Sequence, residues 1–197
     1  MKNQIMKWVV FRYCYYLLLL NVAAMAIGFA LFFIKSVPHV LTQIVTLSVG
    51  TLINLYVYFG LIKYSYIYGQ TKFRKIILFA FSLSVLYFVG SIVENAMMPN
   101  LNQKYFSVIF VGLETPLLFY AFQIIKTEDA LYFKKLSSFY LYQFLAGIAV
   151  LIGYVASMSF PYSFMILLPF VIAGFVFVFL IWFWKIKLFK QLAAKYD

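Results

Sequence analysis

Chemistry in this sequence can come from few places, and the first is a carboxylate set among apolar residues. Glu114 stands in "GLETPLLF" (112–119), the only charge between Lys104 and Lys126. At the middle of a hydrocarbon layer such a side chain costs roughly 2.5–3.5 kcal/mol, so it should face protein rather than lipid. There it would serve as a proton or cation site, or line a translocation path. The bland alternative is a structural acid bonded to Asn21, Asn54, Gln143 or a tyrosine hydroxyl. Asn54 is the second path candidate. Glu94, late in "ILFAFSLSVLYFVGSIVENAMM" (77–98), is the third. It would act as an outer gate, or simply reach the interface or pair with Lys104. The last group is a basic turn: Lys72, Arg74 and Lys75 gather around Gly69 and Thr71 in "SYIYGQTKFRKIIL" (65–78). Such cations anchor a loop against anionic lipid at about 1 kcal/mol each, or offer a handle to a partner.

Other chemistries lack their residues. His39 is the one histidine and Cys14 the one cysteine, so neither an internal disulfide nor a metal cluster at ligand spacing is expected. Cys14 reads as a small buried hydrophobe. No serine–histidine pairing, paired carboxylates on one span, H-E-x-x-H motif or phosphate-cradling loop is present. The expectation is a protein without catalytic residues, metal or cofactor.

The elements that must position these residues follow from composition. The chain has 197 residues, 66% hydrophobic and 11% charged, with a mean hydropathy of +0.97. Soluble domains lie near 45–50% apolar and about 25% charged; the solvent expected here is the lipid bilayer. About 20 apolar residues cross its core, and the charge-poor windows give six spans in one domain: 13–34, 40–62, 76–98, 105–125, 137–158 and 163–184. The last two share 49 residues without charge, divided at "SMSFPYS" (157–163), where Pro161 disfavours helix at Phe160. The A-x-A match "AMA" (24–26) lies inside a continuing apolar run, so the first span is expected to be kept rather than cleaved. The fold class is thus an all-α integral membrane bundle of six transmembrane helices.

Orientation comes from the cations. The formal charge is +11, which in a soluble protein would point to nucleic acid. Here 14 of the 16 lysines and arginines fall on one side of the spans, leaving Lys35 and Lys104 on the other. The positive-inside rule then puts both termini in the cytoplasm of a plasma-membrane protein, with no nucleic-acid partner. Trp8, Trp182 and Trp184, with Tyr64, Tyr66 and Tyr68, are expected to anchor helix ends at the inner interface. The inner connections are long enough for a short helix each, the second capped by Thr127 with Glu128 and Asp129 in its first turn. Ala24-xxx-Gly28 and Ala149-xxx-Gly153 fit a small-residue pattern for close helix approach.

The stretch "YGQTKFRKIILFAFSLSVLYFVGSIVE" resembles the region after the second span in small six-span permease subunits of ABC-2-type exporters. The resemblance covers about residues 50–98. Gly69, Thr71, Lys72 and Arg74 match the cytoplasmic turn, and Glu94 the late acid; the arginine is displaced from its usual place beside Thr71. What the resemblance implies is a permease subunit whose turn docks on a separate ATP-binding subunit, working as a homo- or hetero-dimer of permeases. Two other readings stay open: a non-transport membrane protein (a sensor's membrane domain or a peptide-immunity protein), and an S component of a vitamin importer. Nine glycines against 24 phenylalanines rank the last lower.

Overall fold

The computed structural model describes residues 10–32, 39–97, 105–157 and 164–197, and the side-chain surroundings within 10–24, 49–93, 112–152, 168–170, 172–174 and 176–197. These residues form six helices: α1 Val10–Phe32, α2 His39–Ile67, α3 Thr71–Met97, α4 Tyr105–Gln123, α5 Ala130–Ser157 and α6 Phe164–Tyr196. No strand occurs among the described residues. Among the described residues, three helices are long and apolar enough to cross a membrane, over Thr71–Val93, Ala130–Ile152 and Leu168–Tyr196. Helix is the form such sequences require in hydrocarbon, because each backbone N–H and C=O must find its partner within the segment.

The helices make a closed ring. Among the described residues each packs against its neighbours in the chain, and α6 returns against α1. Side chains are sorted accordingly. On α3, Leu78, Phe79, Val85, Leu86 and Val89 face outward, while Phe73, Ile77, Ala80 and Ser84 are buried. A helix with its large apolar residues outside and a serine inside suits a solvent of lipid rather than water.

Two contacts set the ring's spacing. A Cβ on Gly60 would lie 2.7 Å from Cys14 Sγ and 2.9 Å from Phe189 Cε1, so α2 approaches α1 and α6 only because that position is bare. At the seam, Phe11 of α1 lies 6.3 Å from the Phe189 ring and 6.1 Å from the Tyr196 ring. Asp197 closes it, accepting from Lys63 Nζ at 3.0 Å and from the Arg12 backbone N–H at 2.6 Å.

The helices overrun the apolar windows at the basic end. The connections at 63–75 and 126–136 hold no separate short helix. α2 continues to Ile67 and α3 starts at Thr71, leaving a turn of Tyr68, Gly69 and Gln70. There Gln70 N–H bonds Ser65 O at 2.9 Å and Gly69 N–H bonds Tyr66 O at 3.4 Å, a Schellman cap with Gly69 at φ +64°. α5 runs unbroken through Lys134 and Lys135, and α6 through Lys195. Long basic side chains are good helix formers that lay their stems along apolar surface while their heads reach water, so charge does not end a helix. The outer connections, Trp8, Lys35, Lys104, Pro161 and the surroundings of Gly28 and Gly153 lie outside the described residues.

Candidate functional site

Polar residues recur at helical spacing on the inner faces: Asn54 and Tyr58 on α2 (i, i+4), Tyr140 and Gln143 on α5 (i, i+3), and Trp182 and Lys185 on α6 (i, i+3). Such spacing stacks side chains on one face. With Glu114 of α4 they line a single cavity of about 140 Å³ inside the ring. Both Tyr58 Oη and Ser84 Oγ donate to Glu114 Oε1, the serine at 2.8 Å. The carboxylate thus joins α2 and α3 to α4, and Pro116 lies within the same continuous helix two residues on. In the same cavity, Lys185 Nζ donates to Asn54 Oδ1 at 3.4 Å and stands 5.0 Å from the Trp182 ring centroid and 5.6 Å from that of Tyr140. A cation held over aromatic faces is stabilised by the ring quadrupoles.

Of the residues expected from sequence to carry function, Glu114 and Asn54 both line this cavity, Glu114 bonded to Tyr58 and Ser84 and Asn54 to Lys185. The side chain of Glu94 lies outside the described residues. The basic turn is separate. Thr71, Lys72 and Lys75 are exposed, and Arg74 stacks its guanidinium 4.4 Å over the Tyr66 ring. Among the described residues no ion pair involves Lys72, Arg74 or Lys75.

Trp182, an interface anchor in the sequence reading, lines the cavity together with Lys185, a cation just past the sixth apolar window. The signal was present, because Trp182 and Lys185 share a face one turn apart, but their place just past a long apolar run reads as a flank. Trp184 does sit among flanking cations, with Lys135 at 4.4 Å and Lys187 at 4.8 Å from its ring centroid.

No known protein family, curated protein or solved structure matches this chain.

A second polar cluster closes the basic end of the ring. Tyr64 is fully buried rather than interfacial; its hydroxyl meets Thr127 Oγ1 at 2.5 Å and Asp129 Oδ2 at 3.3 Å. Thr127 therefore spends its side chain on Tyr64 rather than on capping a helix. Asp129, only 1% exposed, also accepts from Tyr68 Oη at 3.2 Å and Gln191 Nε2 at 3.3 Å. Tyr68 meets Tyr196 and reaches Glu128 Oε1 at 2.8 Å, and burial together with the Tyr196 bond raises its phenol above the ordinary range. Lys195 pairs with Glu128. That ammonium, aided by the Tyr68 hydroxyl, holds the Glu128 carboxyl below its ordinary value. The end of α6 is thus tied down to the 127–129 connection, and of the three tyrosines only Tyr66 is exposed.

Proposed function

We propose that the chain is a permease-type plasma-membrane protein whose helix ring holds a small polar solute or ion. All six helices would span the bilayer with both termini cytoplasmic, consistent with the one-sided distribution of cations. The observation that carries the reading is that Glu114 and Lys185 line one interior cavity. Two ionisable groups facing a cavity within an apolar bundle are expensive, and in membrane proteins they mark ion and substrate pathways.

Coupling to a separate ATP-binding subunit belongs to the same proposal, with the exposed cations at Lys72 and Lys75 as the docking handle. Gentle co-purification tests it: recovery of a stoichiometric ATPase, lost in the Lys72→Glu/Lys75→Glu double variant, is expected. No partner, or an unchanged one, returns the turn to a lipid anchor.

The pathway itself is tested by access. Gln143 lines the cavity, and Gln143→Cys in a Cys14→Ala background should react with a membrane-impermeant thiol reagent when the purified protein is open to both faces. A fully unreactive thiol at that position in folded protein rejects a solute pathway.

A further inference from the structure

We infer that the interior cavity binds a small zwitterion of the amino-acid class, its acidic end on Lys185 and its basic end on Glu114. The inference rests on the permease reading above and adds the class of solute.

The charges are opposed yet unspent on each other. Among the described residues neither Glu114 nor Lys185 takes part in an ion pair, although both line the same cavity. Lys185 has three donors, and one long bond to Asn54, at 3.4 Å, is its hydrogen bond to the protein. Glu114 receives both of its donors, Tyr58 and Ser84, on Oε1. Its second oxygen accepts none from the described residues. One cationic end and one anionic end therefore retain bonding capacity toward a shared space.

The charge pattern selects the ligand. A simple anion on Lys185 would face the Glu114 carboxylate, and a simple cation on Glu114 would face the Lys185 ammonium. In a low-dielectric interior like charges repel strongly and unpaired ones are costly. A zwitterion satisfies both ends at once with no net charge brought in. Gln143 adds an amide with both donor and acceptor, suited to either end.

Size sets the scale. The cavity is about 140 Å³, close to the engineered cavity of about 150 Å³ that admits benzene, so it takes a ligand on the order of six non-hydrogen atoms. Glycine, alanine and 4-aminobutyrate lie in that range.

The experiment uses the full chain in lipid nanodiscs, with calorimetric titration of glycine, L-alanine and 4-aminobutyrate. N-acetyl-L-alanine, which lacks the cation, and L-alanine methyl ester, which lacks the anion, are the controls. At least one zwitterion should bind and slow thiol modification of the Gln143→Cys variant. Blocking either end should weaken binding about 10- to 100-fold, as loss of a charged hydrogen bond does. Glu114→Gln and Lys185→Met should each weaken the zwitterion by a similar factor. The blocked analogues are read on the unaltered protein, so a variant that fails to fold leaves the comparison intact. If the Gln143→Cys thiol reacts but no zwitterion binds, or a blocked analogue binds as tightly, the zwitterion assignment is wrong while the solute pathway stands. If that thiol is unreactive in folded protein, both fall.

Discussion

Replacing Glu114 by Gln or by Leu removes the charge in both cases, so the difference between the two isolates the hydrogen bonds. Tyr58 and Ser84 both donate to Oε1, and the Gln amide keeps one oxygen that can accept from both. Leu accepts from neither. Tyr58 is 5% exposed and Ser84 6%, so bulk water does not surround either donor, and water in the cavity replaces the acceptor only in part. A stranded buried donor costs about 1–3 kcal/mol, which for two donors sets a range of about 2–6 kcal/mol. Ser84 can turn back onto the carbonyl of Ala80, four residues earlier, which is a common refuge for a helical serine. Tyr58 has no such local acceptor and carries most of the cost. The expected gap is therefore near the lower end, about 2 kcal/mol. Thermal unfolding in nanodiscs measures it, with Glu114→Leu melting below Glu114→Gln. Adding Tyr58→Phe and Ser84→Ala to the Leu variant should recover most of the gap, because removing both partners leaves nothing unsatisfied. Equal melting of the Gln and Leu variants, or further loss on adding Tyr58→Phe and Ser84→Ala, would refute the bridging role of the carboxylate.

Gly60→Ala should destabilise the ring by about 1–3 kcal/mol through overpacking against Cys14 and Phe189. Cys14→Ala in the same chain should relieve part of that loss; an undiminished melting temperature in Gly60→Ala alone would show that the helices can move apart. For the α6 end, the sign follows from the lowered Glu128 value: its contribution is complete above the ordinary value of 4.5 and lost as pH falls through the lower folded value. The difference in unfolding temperature between the parent and Glu128→Gln should therefore be constant above that pH and close below it, and a pH-independent difference would remove the Lys195 pairing. Single cysteines at the exposed positions Lys72, Leu131 and Lys190, in the Cys14→Ala background, should be labelled from the cytoplasmic side alone. Labelling of any one from outside intact cells overturns the orientation.

Sequence carried the helices far better than the site. Charge-poor windows locate all six elements, because a long apolar run leaves the chain little choice; the division expected at Pro161 lies outside the described residues. Helix ends were less legible: Lys63, Lys134 and Lys187 remain helical because basic residues tolerate the helix as well as the interface. That Glu114 would bond a tyrosine hydroxyl was among the readings open from sequence. That the tyrosine is Tyr58, joined by Ser84, depends on the rotation of α2 and α3 relative to α4, which no single helix encodes. The inward turn of Lys185 and of Tyr64 is illegible in sequence for one reason. A cation or phenol near the end of an apolar run has the same local signature whether it turns toward lipid headgroups or inward.

Because each helix contacts its chain neighbours, five of the six helix interfaces can form in the order of synthesis, each as its second member emerges. The α1–α6 interface is different, since its partners lie at opposite extremes of the described chain. It is the slow, high-contact-order event of this topology, waiting on loop closure over nearly the whole sequence. Until α6 arrives, the bare face of Gly60 and the Phe11 ring lack Phe189, and Glu114 lacks an opposing cation. A chain of five helices would therefore be an open arc with a polar inner wall, closed in a single event by the arrival of its sixth helix.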